Sequence, residues 1–417
     1  MALKLHFLFL LCVVILSNNS FAAEPLSLDD CISLARENNA TLIRAKTAIE
    51  EARAGVTAAY SSYYPSIGLS GGYRNEKGFT GEREDNYSTS IGVQYPIFRG
   101  GYVRAGTKIA KARVRVAEEN YRLTESRIIL AVKEAFFEIL QKQEQITLAE
   151  NIFERRKEDI VIIKLKYDAG RENLPAVKEA KANLSQAEYD KMKAEDELSL
   201  ANAELNLLLN RPRKKKISIK CRNKTLEFPP LDSLIGEAKT ERPEICAEKA
   251  NRDMLEAQVS QAKSNYFPTL SLSSSYGWRG NEFLEQKNDW SAGISLSFPI
   301  FDGFSTRANV KEAALSLKEE EIKLKELGVQ IEKEVEQAWV NWKLAAKKLE
   351  VCDEILKAAR EMYQLTKLQY EQGRTSYFFL QQKENALTQA EYNYANALFN
   401  LHITGARLEK VWGRRES

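Results

Sequence analysis

Histidine and cysteine carry much protein chemistry near neutral pH, and this 417-residue chain offers little of either. Its two histidines are His6 and His402. Apart from Cys12, its cysteines are Cys31, Cys221, Cys246 and Cys352, at irregular spacings that match no metal or redox motif. The chain also contains no nucleophile elbow and no phosphate loop. No catalytic residue, metal ligand or cofactor site is assigned, and the chain is not expected to be an enzyme.

What the sequence does repeat is a phrase. Tyr95-Pro-Ile-Phe-Arg-Gly-Gly101 returns as Phe298-Pro-Ile-Phe-Asp-Gly-Phe304, 203 residues later. The same offset lays Leu28-Asp29 on Leu231-Asp232, and Tyr63 and Pro65 on Tyr266 and Pro268. It also lays Tyr167, Gly170 and Arg171 on Tyr370, Gly373 and Arg374. A register kept without insertion over nearly the whole chain implies two copies of one structural unit.

The elements that position the phrase are readable. Lys4, the apolar run Leu5–Leu16 and Ser20-Phe-Ala22 read as a secretory leader cleaved after Ala22. Leu11 precedes Cys12 where a lipoprotein signal wants a small residue. The run is too short for a membrane helix, and no later stretch reaches the ~18 apolar residues one needs. Charged residues make up 29% of the chain, at a net charge of only +3. That balance gives no case for nucleic acid as a partner. The basic run Arg211-Pro-Arg-Lys-Lys-Lys216 reads as a solvated turn between the copies.

Each copy opens with a helical segment, Ser27–Ser61 or Leu231–Ser264, followed by two strands. The strands fall at 66–74, 87–95, 269–278 and 289–298. Apolar and aromatic residues alternate with serine and glycine, as in Ile91 and Val93 beside Ser90 and Gly92, or Ile294 and Leu296 beside Ser295 and Ser297. A period of two gives the sheet one apolar face. A Ser/Gly face opposite an apolar face with aromatic ends suits a membrane barrel better than a soluble sandwich. Ile91, Val93, Ile294 and Leu296 are the expected lipid-facing residues.

Long helices follow. A seam with steps of four and three runs Ile128, Val132, Ala135, Ile139 onward to Tyr167, and its transposed copy runs Ile331, Val335, Ala338, Trp342 to Tyr370. This is coiled-coil periodicity. Gly170 and Gly373 break the seams and turn each helix back into a hairpin. The phrase therefore sits where a membrane strand becomes a long helix. Tyr95 and Phe298 suit the interface. Pro96 and Pro299 are expected to stop the strands, and Gly100 and Gly303 to allow the change of direction. Four strands cannot close a barrel, and open edges are not tolerated in lipid. Two copies of the chain would give eight strands with a filled interior, and three would give twelve with room for a channel.

Together the tandem repeat, the Tyr64-Pro-Ser-Ile67 and Phe267-Pro-Thr-Leu270 strand entries, the two joints, and Leu165-Lys-Tyr-Asp-Ala-Gly170 with Leu368-Gln-Tyr-Glu-Gln-Gly373 resemble the TolC-like outer-membrane efflux proteins over the whole mature chain. The resemblance implies an α+β membrane protein, a tandem-repeat protomer in a homotrimer. Its 12-stranded outer-membrane β-barrel would stand on a long periplasmic α-helical coiled-coil barrel. It implies the exit duct of a tripartite efflux or type I secretion system in the outer membrane of a Gram-negative bacterium. The implied partners are a periplasmic membrane-fusion adaptor, an inner-membrane pump (RND, ABC or similar) and outer-membrane lipids. The competing reading, a non-conducting structural or adhesive envelope stalk, does not explain the barrel strands. The resemblance places pore closure and adaptor docking at the hairpin tips, with Tyr167, Gly170, Arg171, Glu172, Tyr370, Gly373 and Arg374. Arg171 and Arg374 could pair there with Glu172 or Glu371 of adjacent hairpins. Relatives carry acidic rings after the tip glycine; here Glu172 is the only acid, and no cation-binding ring is expected. The expected division is leader 1–22, first repeat 23–209 with its tip near 170, linker 210–230, second repeat 231–412 with its tip near 373, and tail 413–417.

Overall fold

The computed structural model describes residues 26–77, 83–213, 215, 217, 219, 227–280, 282 and 288–413. The expected leader, Cys221 and residues 414–417 lie outside them. The first repeat comprises α1 (Leu28–Asn38), α2 (Ala40–Ser61), β1 (Ser66–Lys77), β2 (Arg83–Arg99), α3 (Tyr102–Asp168) and α4 (Leu174–Leu208). The second comprises α5 (Leu231–Glu241), α6 (Pro243–Lys263), β3 (Thr269–Gly280), β4 (Asn288–Ser297), α7 (Ser305–Glu371) and α8 (Tyr377–Trp412). The order of elements is the same in both.

The opening helical segment of each repeat is two helices, not one. Asn39 ends α1 and caps α2, its Oδ1 accepting from the Thr41 amide at 2.9 Å. Its Nδ2 donates to the Leu208 carbonyl at 2.9 Å, which ties the break to the end of α4. In the second repeat Pro243 opens α6 and forces Arg242 into extended backbone, φ −59° and ψ 135°.

α3 and α7 each span 67 residues, about 100 Å at 1.5 Å per residue. Their many charged residues do not prevent such helices, because the seam supplies a buried stripe along much of their length. Val132, Ile139, Ile163, Ile331, Val335, Leu356 and Cys352 are all buried. Of the two long seams, only the last residue of the first, Tyr167, stands exposed. Around Cys31, Ile32, Phe136, Ile139 and Leu205 the helices thicken into a core that also takes in Ile217 and Ile219 of the linker. The linker is thus partly packed rather than wholly solvated. Asn206 holds it by donating to the Lys215 carbonyl at 2.7 Å. Cys31 and Cys352 are buried, free thiols.

The four strands form one antiparallel sheet in the order β1-β2-β3-β4, and β2–β3 joins the repeats. Directly opposed residues share a face. Leu69–Ile91, Ile91–Tyr276 and Tyr276–Trp290 make one row of the apolar face, and Ser70–Ser90 and Ser275–Ser291 lie on the other. Three hydroxyl pairs span the polar face: Ser70–Ser90 at 2.9 Å, Ser271–Ser295 at 2.7 Å and Ser275–Ser291 at 2.9 Å. Pro96 does not end its strand. β2 runs on to Arg99 through a bulge between Pro96 and Phe98, so that Phe98 lies opposite Leu270. A bulge absorbs a proline and brings a side chain to the other face. Pro299 does lie beyond its strand, which stops at Ser297.

Where β2 and β3 approach closely, a Cβ on Gly277 would lie 2.3 Å from the Thr89 carbonyl oxygen, whereas one on Gly293 would meet nothing within 4 Å. Gly277→Ala is expected to destabilise the sheet by about 1–3 kcal/mol, as overpacking does, and Gly293→Ala to be close to neutral. Thermal melts of the two variants in detergent check this; equal losses would contradict the register.

Candidate functional site

The two hairpin tips share one backbone plan. Gly170 and Gly373 both adopt φ 72°, with nothing near a would-be Cβ, so positive φ alone is what demands glycine there. Amides of Gly170 and Arg171 donate to the carbonyls of Tyr167 (2.9 Å) and Lys166 (2.8 Å). Those of Gly373 and Arg374 donate to Tyr370 (3.0 Å) and Gln369 (2.8 Å). This paired pattern satisfies the last carbonyls of each long helix. Each return helix is then capped, α4 by Asn173 accepting from Ala176 at 2.9 Å and α8 by Ser376 accepting from Phe379 at 3.4 Å.

The side chains break that symmetry. Tyr370 is 3% exposed and Tyr167 is 38% exposed. The Tyr370 hydroxyl donates to Glu172 Oε2 at 3.1 Å. Lys166 Nζ donates to the Tyr370 carbonyl and sits 3.7 Å from its ring centre, a cation–π contact. Tyr377 packs beside it at 6.2 Å. Burial and the Glu172 carboxylate push the Tyr370 hydroxyl well above the usual tyrosine range, so it remains a donor. Glu172 is therefore engaged by Tyr370 of its own chain, while Arg171, Glu371 and Arg374 stand exposed.

About two to four turns behind the tips lies a buried polar cluster that periodicity alone does not single out. Arg156 of α3 contacts Glu384 of α8, and donates to Asn385 Oδ1 at 2.6 Å. Arg155 pairs with Glu391 at 2.8 Å. Asp159 is 3% exposed and Glu384 0%. Burial raises both carboxyls; Asp159 pushes Glu384 up further, to about 8, while the hydrogen bond with Glu384 draws Asp159 back down. As two carboxylates the pair has no donor between them, and one shared proton supplies it. The available signal is Arg156 itself, a charge written at a seam position. Lys142 and Lys191 are similar and find Glu197 (2.7 Å) and Glu150 (3.2 Å).

At the joints Gly100 has φ 57° and Gly303 φ 65°. A Cβ on Gly100 would lie 2.4 Å from the Ser264 carbonyl, so close packing adds to the demand for positive φ; Gly303 has open space. Phe304 caps α7 at φ 69°, a strained conformation for a bulky residue. Tyr95 lies opposite Leu272 inside the sheet, and Phe298 follows β4, 56% exposed. Ile91, Val93, Ile294 and Leu296 fall on one face, with Ile91, Ile294 and Leu296 exposed and Val93 partly covered. What the arrangement offers is a surface with a wet side and an apolar side, raised on long helices with polar locks near their ends. Among the described residues no three His, Cys, Asp or Glu side chains gather as a metal site.

Comparison with known proteins gives a consistent result. The family described as outer membrane efflux protein matches residues 31–211 and 234–414, once per repeat. The chain is 22% identical over 400 residues to the outer membrane protein TolC of Vibrio cholerae serotype O1, covering 93% of this chain and 90% of that one. It is 22% identical over 343 residues to the alkaline protease secretion protein AprF of Pseudomonas aeruginosa, covering 78% and 71%. A crystal structure of CusC superposes with a TM-score of 0.84 at 19% identity, covering 93% of this chain and 92% of that one.

The carboxyl pair sets a pH dependence. A raised carboxyl binds a proton in the folded state that the unfolded chain has released, so its stabilisation is present below the ordinary 4.5 and lost as pH rises through about 8. Glu384→Gln supplies a permanent donor to Asp159. It is expected to raise the melting temperature at pH 8 and flatten its decline between pH 4.5 and 8. A wild-type protein whose stability rises across that window would contradict the assignment.

Proposed function

The chain belongs to the outer membrane efflux protein family, and from that premise we propose that three copies form the outer-membrane exit duct of a tripartite efflux or type I secretion system. The duct is passive, and energy and cargo selection lie with an inner-membrane pump reached through a periplasmic adaptor. The observation that carries this reading is the sheet. It has one continuous apolar face, one Ser/Gly face bridged by hydroxyls, and two edges that need partners in lipid. Three copies supply twelve strands, enough for a lumen that side chains do not fill. Helices of about 100 Å then carry the lumen on into the periplasm.

Cargo is not written in the lumen. Among the described residues the polar face of the sheet is mostly serine and glycine, with Arg74, Arg279 and Asp289, charges of both signs, toward one end. Relatives with this fold bear names as different as cation efflux and alkaline protease secretion. The purified protein should insert into planar bilayers and conduct ions; a trimer that never conducts would overturn the duct reading.

The apolar face should be the one that meets lipid. Ile294→Lys is expected to cost about 2–4 kcal/mol near the midplane, and the adjacent Ser295→Lys, facing the lumen, far less. Heat-resistant trimer on gels measures both; equal assembly would shift the strand phase by one residue.

The tips are the proposed gate and adaptor-docking site. The Tyr370–Glu172 bond and the Lys166 contact hold hairpin α7/α8 against hairpin α3/α4, with Arg171 and Arg374 at the aperture. Tyr370→Phe removes the bond but keeps the ring, and should raise resting conductance. Arg171→Ala with Arg374→Ala should do the same by removing charge at the aperture. Gly373→Val forces positive φ on a branched residue, a cost of about 1–2 kcal/mol. It should weaken adaptor-dependent efflux while leaving insertion intact. Unchanged conductance in the first two variants, with unchanged efflux in the third, would remove the tip from this account.

A further inference from the structure

Behind the tips, the two hairpins of one chain meet across a buried acid pair. Asp159 of α3 and Glu384 of α8 each lie eleven residues from the tip glycine of their own hairpin, about 16 Å along the helix. Both are buried, with their carboxyl groups within hydrogen-bond reach of each other. No hydrogen bond from the described residues reaches Asp159 Oδ2. Arg155 is engaged by Glu391 at 2.8 Å and Lys367 by Glu158 at 3.4 Å. Arg156 is thus left with two carboxylates, an excess of one buried negative charge. Such a charge is costly away from water, and one bound proton removes it.

We propose that Asp159 and Glu384 are a proton-operated latch for the tip: one shared proton holds the two hairpins of a chain together, and its loss releases them. This rests on the reading above that the tips are the gate, and it names what regulates them. In the closed tip one carboxyl donates its O–H to the other carboxylate. Separating the hairpins breaks that bond and brings both groups into water. The proton then passes to solvent, and both carboxylates are hydrated. Opening therefore releases one proton per chain, and rising pH favours it. The sign follows from burial, which holds the closed pair above the ordinary carboxyl range, with Glu384 at about 8. The proton's contribution to closure is fully present below the ordinary 4.5, declines above it, and is lost as pH rises through about 8.

The surroundings leave the acid pair to titrate. α3 adds Arg155, Arg156 and Glu158, α7 adds Tyr363 and Lys367, and α8 adds Tyr377 and Glu391. α4 packs into the same layer with Ala176 and Ala180. Burial pushes both tyrosine hydroxyls up, so they stay neutral, and the arginines stay charged. The Tyr370–Glu172 bond at the tip itself has a donor that burial also pushes up, so it holds across the same range. The repeat keeps the tip backbone but not the pair. The 203-residue offset sets Met362 at the Asp159 position and Lys181 at the Glu384 position. The latch is thus a device within each chain, and a trimer has three.

Planar-bilayer recordings of the full-length protein between about pH 5 and about pH 8 test the latch. Each unit of pH moves a one-proton equilibrium by up to about tenfold, so wild-type resting conductance should rise at least about tenfold over that range. Glu384→Gln supplies a donor that cannot be lost, and its conductance should stay low and flat with pH. Asp159→Asn supplies one from the other hairpin and should behave in the same way. Tyr370→Phe, which leaves the pair intact, should raise conductance at every pH and keep the slope. A flat wild type, or a slope that survives in both amide variants, overturns the latch. Failure of both amide variants to form heat-resistant trimers overturns it too, because an amide replaces a protonated carboxyl at little cost. If Tyr370→Phe still raises conductance in those cases, the gate at the tip stands without the latch. A trimer that conducts fully at every pH and does not respond to Tyr370→Phe overturns gate and latch together.

Discussion

Hydrocarbon offers no hydrogen bonds, and a strand edge placed in it must find another strand. Most of the molecule's organisation follows from that constraint. A repeat with two strands has two edges; joining two repeats in one chain satisfies the β2–β3 edge and leaves β1 and β4. The alternation that gives the sheet an apolar face also makes isolated copies unsuited to water. The family's membrane location and the open-edged sheet are thus two statements of one requirement. Closure by copies of the same chain meets it without adding any new element.

The helices answer a different constraint. A helix of 67 residues cannot be buried in a globular core, so it must be stabilised along its length by a narrow seam. Alanine dominates the buried positions of α4, with Ala176, Ala180, Ala187, Ala194 and Ala201. Small side chains let the hairpin arms approach closely, at the cost of little apolar area per turn. Polar residues in and beside the seam then contribute by pairing, as Lys142 does with Glu197 and Arg156 with Glu384. Where pairing is incomplete, at Asp159 and Glu384, a proton takes the place of a partner. That is a softer connection than the apolar seam, and it lies close to the turn where the hairpin would have to move.

Much of this is legible in the sequence, because it rests on period and repetition. The strand alternation, the seam steps and the tip glycines each reflect one local rule, and the offset repeats every rule once. What is not legible depends on contacts between segments distant in sequence. Pro96 reads as a strand terminator on local grounds, but pairing with β3 carries β2 through a bulge. Asn39 and Arg242 end the first helix of each repeat, and the Asn39 break is tied to Leu208 of α4. The linker reads as solvated from its lysines, and Ile217 and Ile219 nevertheless pack into the core beside Cys31. Tyr167 and Tyr370 occupy equivalent positions in sequence and differ in burial because only Tyr370 has the other hairpin's Lys166 and Glu172 beside it.

That last difference shows what duplication did and did not preserve. The backbone plan recurs down to the φ of the tip glycines, but the chemistry between repeats does not. Arg155 and Arg156 hold α3 to Glu391 and Glu384 of α8. The offset carries the arginines onto Ala358 and Ala359, and the acids onto Glu188 and Lys181. In a ring of three copies the same offset would carry this junction within the chain onto one between copies, setting α7 against α4 of the partner subunit without this set of ion pairs. The Arg115–Asp253 contact nearer the membrane does carry over in sign, to Lys318 and Glu50. The two kinds of junction would then be alike close to the barrel, where closure is compulsory, and unlike near the tips, where the Arg155 and Arg156 pairs have no counterpart at the transposed positions. Selection for a sealed sheet constrains both junctions equally. Beyond the membrane each helix satisfies its own backbone, and there the pairing of side chains differs between the two repeats.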